Sequence, residues 1–183
     1  DGTVTVDPAM EADGGIRPLA LGSISLWQIV SAQLGTPREG PGATVVSMAD
    51  GTALLFVAGG RENGGASAYL DSVEYTTISA DGVIGSFAEA PAEMTTPRAF
   101  FTLLSNQPAG MSPLTPDAVA GSQGVNLMLF AVAGDESFSV PAKNSGLMTI
   151  EAARVNMTTG EPEVWTVQSA DLSAGRRTYA HGA

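Results

Sequence analysis

A single histidine, His181, and no cysteine among 183 residues limit what chemistry these side chains can perform. A serine–histidine triad needs its base held beside a nucleophile, and zinc needs three or four nitrogen or sulfur ligands. No His-x-x-His and no Cys pair occurs, and His181, two residues after Tyr179, is read as a packing residue. The acidic candidates are Asp71 and Glu74 in one stretch and Asp135, Glu136 and Glu151 in another. Calcium requires several oxygens converging on one loop, and no Asp-x-Asp-x-Asp ladder accompanies Asp135-Glu136. Glycoside hydrolysis needs two carboxyls at a set separation across a cleft, and spacing nominates no such pair. Gly59-Gly60-Arg61 with Gly64-Gly65 has the composition of a phosphate loop. It leads from strand to strand, however, without a helix N-terminus or Gly-Lys-Ser/Thr. Asn156-Met157-Thr158 satisfies the N-glycosylation sequon, which matters only in a secreting eukaryote. No catalytic residue, metal ligand or cofactor is assigned.

Arginine is the residue type whose spacing is informative. An aromatic residue is followed seven positions later by Leu or Met, and eleven positions later by Arg, three times: Trp27, Leu34, Arg38; Phe87, Met94, Arg98; Trp165, Leu172, Arg176. Thr-Pro precedes the first two arginines (Thr36-Pro37 and Thr96-Pro97) and Ala174-Gly175 the third. A pattern copied down a chain indicates one supersecondary unit duplicated and stacked. The arginines are therefore read as junction residues between units in preference to ligands for an anion.

Between these anchors the residues read as strands. In the first unit the apolar run 43–48 meets Asp50-Gly51 and then the run 52–58, a pairing that predicts a tight primed hairpin turn. The second run closes on Gly59-Gly60, and a polar loop covers 61–67. A third strand over 69–79 carries Val73, Tyr75 and Ile78, and Asp81-Gly82 turns it into a fourth over 83–88. The second unit keeps this order: 99–104, then 125–133, 147–155 and 163–168. Ala133-Gly134-Asp135 stands there in the place of Ala58-Gly59-Gly60, and Ile150-Glu151 in the place of Val73-Glu74. The anchors lie 60 residues apart (27 to 87) and then 78 (87 to 165). The excess falls mainly in 105–124, where Pro108, Pro113 and Pro116 predict a surface loop inserted in a hairpin. The organisation that follows is an N-terminal arm or linker (1–22), the last strand of a preceding unit with its connection (23–42), complete units at 43–98 and 99–175, and the first strand of a following unit (176–183).

An apolar strand, a double Gly, a Val-Glu-Tyr strand, an aromatic and then Thr-Pro-Arg is an order that resembles the kelch repeat. The resemblance runs from about Ser23 to the C-terminus and is closest over Leu54 to Arg98, with bacterial features in 71–74 and 81–85. It implies that each unit is a four-stranded antiparallel meander forming one blade of a β-propeller. The structural positions it implies are Trp27, Leu34, Arg38, Gly59, Gly60, Phe87, Met94, Arg98, Gly134, Trp165, Leu172 and Arg176. Gly pairs would end the second strand where a Cβ obstructs the exit. The aromatics would pack between blades, mostly buried, and each arginine would lead into the innermost strand of the next blade. The alternative fold is a small β-sandwich.

Composition narrows the function. Net charge is −11, with one Lys (Lys143) and seven Arg, so no basic stripe exists to neutralise nucleic-acid phosphates. The longest apolar runs are strand-sized, too short for a helix to span a bilayer. Propellers close with roughly four to eight blades, so two units predict a chain that belongs to something larger. The expected function is a non-enzymatic structural or protein-interaction module, a fragment or subunit of an extracellular, cell-surface or periplasmic assembly, with protein as partner. The alternatives are a segment of a carbohydrate-active propeller enzyme and a carbohydrate-binding propeller.

Overall fold

The computed structural model describes residues 29–48, 50–62, 68–107, 127–136 and 147–168. Within them the chain forms eight strands and no helix, in two four-stranded antiparallel sheets, each with sequential neighbours paired. Sheet 1 comprises β1 (Gly42–Ser47), β2 (Ala53–Ala58), β3 (Val73–Ile78) and β4 (Ala88–Glu89). Sheet 2 comprises β5 (Thr102–Ser105), β6 (Met128–Val132), β7 (Ile150–Arg154) and β8 (Thr166–Val167). The fold is all-β, and the two sheets do not close on themselves.

The turns differ from the primed type. Met48 N–H donates to Thr52 O (2.8 Å) and Gly51 N–H to Met48 O (3.1 Å), and Ser79, Gly82 and Val83 repeat this pattern. Among the described residues of these turns only the glycines, Gly51 (φ 85) and Gly82 (φ 87), take positive φ, whereas a type I′ turn needs it at both central residues. Asp50 instead accepts from the N–H and hydroxyl of Thr52. Its carboxylate thereby stabilises the turn beside the left-handed glycine.

The fourth strands are shorter than expected because both units carry the same bulge. Ile78 bridges Ile84 while Tyr75 pairs with Ala88, so residues 85–87 oppose only 76–77. In sheet 2, 163–165 oppose 153–154 in the same way. An extra residue interrupts the ladder and re-aims the side chain beside it. In each unit the last bulge residue is the aromatic, Phe87 or Trp165.

Strand register defines two faces per sheet. On sheet 1, Val46, Leu54, Phe56, Ala58, Val73 and Tyr75 share one face. On sheet 2, Leu103, Leu127, Leu129, Ala131, Ala153 and Val155 share one face with Glu151. These two sets, with Ala90, Met94, Phe101 and Trp165, form one core, so the sheets stack face to face. The aromatic positions fare differently. Trp165 is 4% exposed, whereas Phe87 is only half-buried, contrary to the expected burial. Trp165 turns into the space between the sheets; Phe87 belongs to the sheet with no described neighbour on the corresponding side.

Backbone conformation corrects the alignment of the glycine pair. Gly59 (φ 57) and Gly60 (φ 98) match Ala133 (φ 62) and Gly134 (φ 107). Asp135, which bridges Ala99, takes the place of Arg61, which bridges Glu39. The pair is therefore Ala133-Gly134, not Gly134-Asp135. Phe100 (φ 53) likewise holds the left-handed place of Gly40 (φ 60). The inserted loop also starts later than residue 105, since Ser105 closes β5 and Asn106 N–H still donates to Met128 O (3.1 Å). Residues 108–124 of that insertion, the arm at 1–22, residues 23–28 of the expected preceding strand with Trp27, Leu172, Arg176, His181 and the final strand at 176–183 lie outside the described residues.

Candidate functional site

The most elaborate polar arrangement among the described residues is built twice. Each copy begins with the short segment before the first strand, which crosses the end of its sheet and delivers an arginine to the third strand. In sheet 2 the Arg98 guanidinium donates to Glu151 Oε1, to the carbonyls of Ala133 (2.9 Å) and Thr149 (3.4 Å), and to the Thr149 hydroxyl (3.4 Å). Glu151 is filled from the other side by the backbone N–H groups of Thr95 (2.6 Å) and Thr96 (3.1 Å). Both side chains are fully buried. The Arg98 guanidinium also lies 5.9 Å from the Phe101 ring centroid.

Sheet 1 repeats the arrangement. Arg38 donates to Glu74 Oε1 (2.5 Å), to the carbonyls of Gly59 (2.9 Å) and Ser72 (3.1 Å), and to the Ser72 hydroxyl (3.2 Å). Gly35 N–H (2.6 Å) and Thr36 N–H (3.2 Å) donate to Glu74. The guanidinium is suited to this position because its planar fork satisfies carboxylate and carbonyls together. The positive φ at residues 59 and 133 is part of the design, because the carbonyl of each is an arginine acceptor.

The arrangement is a fastening: each carboxylate accepts three hydrogen bonds, from one guanidinium and two backbone N–H groups, and both ion pairs are buried. Burial pulls the Arg98 guanidinium below its ordinary pKa, and the attraction of Glu151 opposes that pull. Sequence reasoning placed Arg38 and Arg98 at unit junctions but left Glu74 and Glu151 as scattered acids. The available signal was an acid at the same place in two apolar third strands, Val73-Glu74 and Ile150-Glu151. Of the other repeat positions, Met94 is buried in the core and Leu34 is half-buried.

The other candidate is an open groove of about 530 Å³ lined by Pro91, Ala92, Asn156, Glu161, Pro162, Glu163 and Val164. Glu161 is engaged there by the hydroxyls of Tyr75 (3.1 Å) and Thr159 (3.1 Å). Among the described residues no group of three or more His, Asp or Glu is placed to hold a metal ion. No described helix is long and apolar enough to cross a membrane. The sequence matches no protein-family model and no curated protein.

One core atom stands apart. Trp165 Nε1–H is buried without a hydrogen-bond partner among the described residues, a loss of about 1–3 kcal/mol relative to a satisfied donor. Phenylalanine occupies the equivalent bulge position in sheet 1. Trp165→Phe is therefore expected to change stability by no more than about 1 kcal/mol, because removing the orphan donor offsets the smaller ring. Trp165→Ala should cost about 3–5 kcal/mol. Urea midpoints of the two variants check this, and a Phe variant as damaged as the Ala variant would show that indole packing outweighs the orphan donor.

Proposed function

We propose that this chain is a non-enzymatic structural and protein-interaction module made of kelch-type blades, working in an extracellular or surface assembly. The kelch reading rests on two four-stranded meanders with a shared glycine-pair position, bulge and aromatic, and arginine fastening. The observation that carries the docking role is the outer face of sheet 2. Its register places Leu104, Met128, Phe130, Val132 and Ile150 together. Phe130 corresponds to Phe56 and Ile150 to Val73, both fully buried where sheet 2 covers them. On the outer face all five are only half-buried or exposed, and Leu104 is 38% exposed. Contiguous apolar surface of this kind marks an interaction site. The acidic, low-lysine composition rich in Gly, Ser, Thr and Ala is the support for a place outside the cytoplasm.

Light scattering tests the reading. The chain should run heavier than its 18.6 kDa monomer mass, and Leu104→Lys/Phe130→Lys should restore the monomer. A wild-type chain that stays monomeric and melts cooperatively, with that face in water, refutes it.

A further inference from the structure

Building on the docking role just proposed, we infer that the partner of sheet 2's outer face is the outer face of sheet 1 in a second copy of this chain. The contact would be head-to-tail. The argument comes from the interface inside the molecule, which joins two different kinds of face. One is the face of Val46, Leu54, Phe56, Ala58 and Val73, which carries no arginine fastening; the other is the Glu151 face, which does. Each kind occurs once more on the outside. The outer face of sheet 2 corresponds position for position to the first kind: Met128 to Leu54, Phe130 to Phe56, Val132 to Ala58 and Ile150 to Val73.

The outer face of sheet 1 corresponds to the second kind. Leu55 stands in the place of Leu129, Val57 of Ala131, Thr76 of Ala153 and Ile78 of Val155. It already contains its own fastening, Arg38–Glu74, with side chains 0% and 5% exposed. Leu129 and Val155 are fully or nearly fully buried under the neighbouring sheet. Their counterparts Leu55 and Ile78 are only half-buried, Val45 on the same face is 50% exposed, and Phe87 lies half-buried beside it. Thus each outer face is the kind that the other is built to meet. A face cannot meet its own kind with the same complementarity, which disfavours a dimer in which one face pairs with itself across a two-fold axis.

A heterologous contact repeats until it closes into a ring or grows as a filament. At the two described sheets per copy, a closed ring of roughly four to eight sheets takes about two to four copies. Because every copy carries a net charge of −11, added salt should strengthen the association by screening.

Mixing two face-blocked variants tests this. Leu104→Lys/Phe130→Lys blocks one face and Val45→Lys/Leu55→Lys the other. Wild type should sediment at two or more monomer masses, each variant alone as a monomer, and an equimolar mixture at twice the monomer mass, since one intact face of each kind remains. Val45 and Leu104 are the most exposed apolar residues of their faces, so the single variants Val45→Lys and Leu104→Lys repeat the test if a double variant loses its β-sheet circular dichroism. Association of the Val45 variants as strong as wild type, or a mixture that stays monomeric while wild type associates, overturns the head-to-tail inference and leaves the docking role intact. A monomeric wild type overturns both.

Discussion

Glu151→Gln is expected to lower unfolding stability by about 3–5 kcal/mol, the loss typical when one partner of a buried ion pair is removed. Glutamine keeps the shape of the side chain but takes from the Arg98 guanidinium, which has no exposed surface, its paired counter-charge and leaves only the weaker attraction of Glu136. Arg98→Met should cost a similar amount for a different reason. It strips donors from the Ala133 and Thr149 carbonyls and leaves Glu151 facing only the Thr95 and Thr96 N–H groups. Arg98→Lys should recover only part of the loss, since one ammonium cannot reach carboxylate and carbonyls in the same plane. Replacing both partners by apolar residues is often harmless at buried pairs, but here three backbone groups, Ala133 O and the Thr95 and Thr96 N–H groups, would lose their partners while Thr149 O keeps the Ala133 N–H, so the double variant should remain as unstable as either single one. Glu74→Gln should cost less, because the face that carries it has no described sheet above it. Urea denaturation followed by tryptophan fluorescence measures all five. A loss below about 1 kcal/mol for Glu151→Gln would mean that the fastening does not hold the sheet end.

Gly59→Ala should cost far more stability than Ala133→Gly, although they exchange the same two residues at equivalent places. A Cβ at Gly59 would lie 2.4 Å from Arg98 O and 2.8 Å from the Phe101 ring, inside a packed junction. Left-handed backbone adds about 1–2 kcal/mol for a residue with a Cβ, and overpacking about 1–3 kcal/mol. The sum, about 2–5 kcal/mol, is the expected loss. Ala133 already carries the left-handed penalty at φ 62. Glycine there removes that penalty but enlarges the unfolded ensemble by about 0.4–1 kcal/mol and gives up a fully buried methyl worth about 0.8 kcal/mol, leaving a net change within about 1 kcal/mol of zero. The same denaturation series decides. A tolerated Gly59→Ala would show that the loop carrying Arg98 is free to retreat from the end of β2.

The sequence by itself determined the features that rest on local chemistry. Glycine after aspartate placed two hairpins, since Gly51 and Gly82 adopt the left-handed conformation there. Alternating apolar residues placed three strands of each unit to within a few residues, and the fixed gap from aromatic to arginine revealed the duplication. What the arginines bind was not legible. Arg38 reaches Glu74 across 36 residues and Arg98 reaches Glu151 across 53, and the insertion within the second unit hides the equivalence. Nor could local propensity announce left-handed Phe100 and Ala133, because both conformations are imposed by neighbours, contrary to the residue's own preference. The bulges that shorten β4 and β8 also depend on pairing with β3 and β7. Tertiary structure alone decided which face of each sheet is covered. Two strands with the same apolar alternation bury different fractions of it according to what is stacked above them, so Phe56 is sealed in the core while Phe130, its counterpart, remains partly in water.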